Sequence, residues 1–165
     1  MAPQLIFDFN STADKKQWSI VNDTVMGGRS TAQLSLTEEG HGEFVGHVSL
    51  KNNGGFSMIQ FDCNAININH NNAIRLHVKG DGKTYNLRVK HAQRDRHSYQ
   101  TSFLTTGEWQ TINIPLSDLE PVYRGRSLTI PNFEADEFEQ IAILIGNKKE
   151  ESFKLLIDAI HLVKN

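Results

Sequence analysis

The sequence is short of the residues that carry most recognisable chemistry. Of its 165 residues one is a cysteine, Cys63, so an intrachain disulfide and a cysteine-based zinc site are both excluded. Charge of one sign is scarce as well. Seventeen Lys and Arg stand against nineteen Asp and Glu, a net of −2, which argues against a nucleic-acid binder and leaves any anion affinity to a local patch. No run approaches the ~18 consecutive apolar residues of a membrane-spanning helix. The opening Met1-Ala2-Pro3-Gln4-Leu5-Ile6-Phe7 has neither a basic segment before an apolar stretch nor an Arg-rich amphipathic pattern, and a cytoplasmic location is expected. His-Glu-x-x-His, Gly-x-Ser-x-Gly and the EF-hand loop are all missing. Gly82-Lys83-Thr84 resembles the tail of a phosphate loop. However, His77 stands where that loop needs its first glycine, and a strand follows where a helix must open. The seven histidines show no tight metal spacing, and Asp8 with Asp158 offers two carboxylates where calcium takes about six oxygens. The expectation is no metal, no cofactor and no catalysis.

What the chain does have is alternation of apolar and polar residues. Period-2 segments cover Gln4 to Phe9, Arg29 to Leu36, Glu43 to Leu50, Gly55 to Phe61, Ala73 to Lys79, Tyr85 to His91, Tyr99 to Leu104, Gln110 to Ile114, Gln140 to Ile145 and Phe153 to Val163. Gly, Asn and Asp clusters punctuate them at short intervals. Such a pattern predicts an all-β sandwich or barrel, in one domain over residues 1–165. Helical character is confined to a turn near Ser117 to Leu119, closed by Pro121, and a piece at Glu134 to Glu139.

One pairing is specific enough to write down. With Asp81-Gly82 as a two-residue type I′ turn, Val78 faces Tyr85, Leu76 faces Leu87 and Ile74 faces Val89, all apolar and on one face. The other face then gathers Arg75, His77, Lys79, Arg88 and Lys90. Arg75 to His97 holds seven Lys or Arg and two acids. This candidate basic face suits an anionic partner, unless Asp62, Glu43 or Glu108 compensates it. Trp18 and Tyr85 are expected in the core and Trp109 at a sheet edge. Cys63 has no cationic neighbour in sequence to lower its pKa and is expected to be a buried, inert thiol.

Three further stretches are unusual: Trp18-Ser19-Ile20-Val21-Asn22-Asp23-Thr24-Val25-Met26-Gly27-Gly28-Arg29-Ser30, Phe44 to Phe56 with its Asn52-Asn53-Gly54-Gly55, and Tyr123-Arg124-Gly125-Arg126. With Lys79-Gly80-Asp81-Gly82 and Gly107-Glu108-Trp109-Gln110, they resemble the complex I intermediate-associated protein 30 family, in that family's order from Phe7 to Ile160. The resemblance implies a galactose-binding-like jelly-roll β-sandwich. It implies a non-catalytic, chaperone-like assembly factor whose partners are intermediates of respiratory complex I (NADH:ubiquinone oxidoreductase), with peripheral association to the membrane complex. With no presequence pattern, the chain is expected to be a bacterial stand-alone member. The fold is also that of carbohydrate-binding modules, so glycan binding is the alternative. The final turn, Asn147-Lys148-Lys149-Glu150-Glu151, departs from the family in having no glycine.

The motif residues have a chemistry of their own. Asn22, Asp23, Asn52 and Asn53 can close their own turns, or they can line a polar pocket with Arg124 and Arg126. An Arg-x-Arg beside amides suits a carboxylate, a phosphate or sugar hydroxyls. In that pocket Asp23 and Arg126 are expected to pair.

Overall fold

A strand of a sandwich needs one apolar face, and alternation supplies it. In a computed structural model, residues 3–10, 17–22, 30–51 and 55–165 are described, and the alternating segments form strands. They are β1 (Gln4–Asp8), β2 (Trp18–Asn22), β3 (Thr31–Leu36), β4 (Gly42–Val48), β5 (Ser57–Asn67), β6 (Ala73–Lys79) and β7 (Thr84–Lys90). The remainder are β8 (Ser98–Leu104), β9 (Trp109–Pro115), β10 (Glu120–Tyr123), β11 (Arg126–Ser127), β12 (Glu137–Ile145) and β13 (Glu151–Val163). A single turn of 3-10 helix, Leu116–Asp118, lies where the sequence predicts one.

All strand pairs are antiparallel. One sheet runs β3-β4-β13-β6-β9, with β1 also on β13, so the first and last strands lie side by side. The other runs β11-β10-β8-β7-β12-β5-β2. Together they make the all-β jelly-roll sandwich that the alternation and the resemblance lead one to expect.

The inner faces meet in two aromatic groups. Phe7, Phe9, Trp18 and Phe61 pack ring to ring at 4.7–5.6 Å. Phe44, Phe153, Tyr85 and Phe103 form the second group at 4.8–6.4 Å. Between them Ile74, Leu76, Val78, Leu87, Val89, Ile141, Ile143, Leu155 and Ile157 have no exposure. Each such side chain contributes roughly 1.5–3 kcal/mol.

The sequence reading needs two corrections. First, β6 and β7 do not form a hairpin. Leu76 pairs with Ile112 and Ile160 in one sheet, whereas Leu87 pairs with Thr101 and Ile143 in the other. The six apolar residues are buried either way, so alternation could not separate a hairpin from a crossing. The connector decides it. A type I′ turn needs positive φ at both central residues, and here Gly82 has φ 83° while Asp81 has no positive φ. The Asp81 carboxylate instead ties the crossing. Oδ1 accepts from the Lys83 N–H at 3.3 Å and the Tyr85 hydroxyl at 3.0 Å, and Oδ2 accepts from the Lys154 N–H, on the first sheet, at 2.8 Å. Thr105 holds the connector from the other side, its N–H and hydroxyl donating to the Lys83 carbonyl. Second, Glu134 to Glu139 is not helical. Phe138, Ile141, Ile143 and Ile145 are buried and Glu137 opens β12.

The I′ geometry occurs elsewhere. Arg124 (φ 51°) and Gly125 (φ 76°) join β10 to β11, with Tyr123 opposite Arg126 and Val122 opposite Ser127.

Two consequences are measurable. Burial, then the charge and hydrogen bond of Asp81, pushes the Tyr85 phenol above its ordinary value near 10. The folded chain therefore holds this proton more tightly than the unfolded one. The stability it carries is complete below pH 10 and falls as pH rises beyond that. Tyr85→Phe should lower urea stability at neutral pH by about 1 kcal/mol and flatten the alkaline decline. Gly125→Ala places a Cβ at positive φ and should cost about 1–2 kcal/mol in the same assay.

Candidate binding site

The outer face of the seven-stranded sheet carries the polar half of each alternation. Across its middle, register sets Asn86 beside Leu144 and Ser102, Arg88 beside Ala142 and Gln100, and Lys90 beside Gln140. On the far side of β12, Met58 lies opposite Leu144, Gln60 opposite Ala142 and Asp62 opposite Gln140. The rims rise at Gly55, Phe56 and Gly146 on one flank and at Tyr123, Arg124 and Gly125 on the other, with Arg96 from the loop before β8. The result is a cleft of about 510 Å³.

The floor has an apolar strip and a cationic strip. Met58, Ala142 and Leu144, 6%, 0% and 6% exposed, form a small buried apolar cluster under the half-buried Val21 and Phe56, outside the main core, and Met58, Leu144 and Phe56 reach the cleft. Beside it stand Arg88, Lys90, Arg96 and Arg124. Arg88 is the anchor. Its Nε and Nη2 donate to Gln100 Oε1 at 3.1 and 2.7 Å, a neutral acceptor, and burial lowers its pKa. None of the four cations makes an ion pair among the described residues. Two of the expected compensators make no ion pair with these cations, although Asp62 stays at the cleft's edge, bonded to the lining residues Gln60 and Gln140. Glu43 pairs with Lys154, and Asp62 Oδ1 accepts from Gln140 at 2.8 Å and Gln60 at 3.1 Å. Arg124 lies 5.3 Å from the centre of its neighbour's ring, Tyr123. Its positive φ is a conformation disfavoured for a residue with a Cβ, held on the cleft rim.

The candidate basic face does not survive as one surface, because β6 and β7 are in different sheets. Arg88 and Lys90 line the cleft. Arg75, His77 and Lys79 are on the opposite outer face, where Arg75 Nε donates to Asn113 at 3.0 Å and His77 Nδ1 meets Asp158 at 2.7 Å. Of the candidate polar pocket, Arg124 is in the cleft, and exposed Arg126 follows it in β11. The backbone of Asn22 closes β2 opposite Ser57. Asp23, Asn52 and Asn53, and with them the expected Asp23–Arg126 pair, lie outside the described residues. Arg96, Gln100, Gln140, Met58 and Leu144 were missed. Each occupies an outward or loop position visible in the sequence, but only strand order brings them together.

Trp18 and Tyr85 are core residues as expected, and Trp109 is on the edge strand β9, against His41 and His77 at 4.5 and 4.9 Å. Among the described residues no cluster of three or more His, Cys, Asp or Glu is placed to hold a metal, and no helix is long and apolar enough to cross a membrane. Cys63 is partly buried. Burial, then the Asp62 charge, raises its thiol to about 11. Thiol-specific labelling of the folded protein at neutral pH should therefore run at least tenfold slower than in urea.

Solved structures share this architecture. The family 11 carbohydrate-binding module of the cellulosomal cellulase Lic26A-Cel5E of Clostridium thermocellum superposes with a TM-score of 0.72 at 15% identity, over 100% of this chain and 96% of that one. The family 11 module in complex with a β-1,3-1,4-mixed-linked tetrasaccharide gives 0.71 at 16% identity, over 98% and 95%. At such identity the likeness concerns the fold alone. An uncharacterized protein of Schizosaccharomyces pombe is 24% identical over 172 residues, 90% of this chain and 78% of that protein. The model of the Complex I intermediate-associated protein 30 (CIA30) family matches residues 7–157, and the chain belongs to that family.

Proposed function

We propose that the protein is a non-catalytic binding factor of the assembly type, which holds a protein partner from a respiratory complex I intermediate in the cleft of the seven-stranded sheet. One observation carries this reading. The described cleft lining contains guanidinium, ammonium, amide, hydroxyl and apolar groups but no carboxylate, histidine or thiol. Ser98 therefore has no carboxylate or imidazole in the lining to act as its general base, the arrangement that most often activates a serine. Hydrogen-bonding groups fixed on a paired sheet suit recognition, since their geometry is set before the partner arrives. Membership of the Complex I intermediate-associated protein 30 family supports a partner of this kind.

Glycan binding is the second reading. It is favoured by the amide groups of Gln60, Asn86, Gln100 and Gln140 along the floor and by the architecture shared with carbohydrate-binding modules, although fold alone does not confer sugar affinity.

Affinity purification of the tagged chain from detergent-solubilised membranes, followed by mass spectrometry, should recover complex I subunits. Asn86→Trp fills the cleft without changing its charge and should abolish that recovery while the fold is retained. Recovery undiminished by Asn86→Trp would remove the cleft from the function. Binding on a glycan array that Asn86→Trp abolishes, with no subunits recovered, would establish the second reading instead.

A further inference from the structure

We infer that the cleft recognises an acidic peptide segment in which carboxylates alternate with apolar side chains, the carboxylates meeting Arg88 and its neighbouring cations and the apolar groups lying on Met58 and Leu144. This rests on the reading of the cleft as a protein-binding site and specifies its partner's chemistry.

The argument begins with Arg88. A guanidinium half-buried on a sheet loses hydration, and its acceptor here is the neutral Gln100 amide oxygen. A carboxylate from outside would restore the missing counter-charge through a charge-assisted hydrogen bond, for which the remaining guanidinium N–H groups are suited. Lys90, Arg96 and Arg124 line the same cleft without an ion pair among the described residues. Repulsion among four like charges raises the energy of the free state and is relieved by an anion. The whole chain carries a net −2, so the cationic cleft is a local feature and not the trace of a basic protein.

The apolar strip selects the class of anion. Met58 and Leu144 sit opposite each other on β5 and β12, beside the cations. An extended segment with a period of two presents carboxylates to one side and apolar groups to the other. Neither tryptophan is available as a sugar platform, since Trp18 is in the core and Trp109 is on the other sheet. The Tyr123 ring already has the Arg124 guanidinium against it.

Fluorescence anisotropy with dye-labelled peptides tests this. The full chain should bind a peptide alternating Glu and Leu, weaken about tenfold from low to high salt as screening predicts, and bind the Gln–Leu and Lys–Leu counterparts at least tenfold more weakly. Arg88→Met should cost about tenfold or more in affinity. Arg124→Gln, on an exposed turn and so harmless to folding, should cost a smaller factor. Equal binding of the Gln–Leu peptide overturns the inference. So does the absence of Glu–Leu binding while complex I subunits are still captured in an Asn86→Trp-sensitive way, and in that case the functional reading stands. Binding of oligogalacturonate, lost with Arg88→Met, and no Glu–Leu binding overturns it in favour of an acidic glycan. Glu–Leu binding weakened by both variants in that order, with no complex I subunits recovered, upholds the cleft chemistry and removes only the proposed source of the partner.

Discussion

The carboxylate of Asp81 stands where the chain leaves one sheet for the other, and the composition of the cleft depends on that crossing. It accepts from the Tyr85 hydroxyl on one sheet and from the Lys154 N–H on the other, so a single side chain spans the two layers at this edge. Tyr85 is fully buried, and a buried hydroxyl without a partner is costly. The bond satisfies that hydroxyl, and the Lys154 contact helps tether the connector where it crosses between the sheets. Had β7 folded back on β6, Arg75 and Arg88 would stand opposite each other. The crossing separates them by the thickness of a sandwich, about 10 Å of core plus both backbones.

That separation gives the two outer faces different characters. On the β6 face, His77 meets Asp158 and Lys154 meets Glu43, while Arg75 donates to the neutral amide of Asn113. On the β7 face, Arg88 is met by an amide, and the carboxylate nearest in register, Asp62, is taken up by two glutamines. A sheet face that carries carboxylates among its cations, as the β6 face does at Asp158 and Glu43, is solvated surface. One that gathers cations without carboxylates, at the bottom of a cleft and beside an apolar strip, is a place for a ligand.

Sandwiches of this architecture include a carbohydrate-binding module in complex with a mixed-linked tetrasaccharide, while this chain belongs to the Complex I intermediate-associated protein 30 family. The two facts are compatible, because the fold provides a rigid concave sheet and side chains decide what it holds. Here those side chains are three arginines, a lysine, several amides and a Met–Leu pair, with both tryptophans elsewhere.

Much was legible in the sequence alone. Alternation marked most of the strands and the buried residues from Ile74 to Val89, and composition excluded disulfides and cysteine-based zinc sites, because face and residue type are local properties. The short strands were harder. β10 and β11 have only four and two residues and become recognisable once the Arg124-Gly125 turn is seen to bring Tyr123 opposite Arg126. Strand order was not legible at all. Val78 and Tyr85 are buried equally as hairpin partners or as residues of facing sheets, so period 2 carries no record of which neighbour each strand takes. That choice belongs to long-range contacts: Asp81 with Lys154, Thr105 with Lys83, β12 inserted between β5 and β7. Tertiary structure therefore divided the basic segment, and it alone set Arg88 beside Gln100, Met58 beside Leu144 and Arg124 above them, since residues on five different strands and loops meet only when the sheets are assembled.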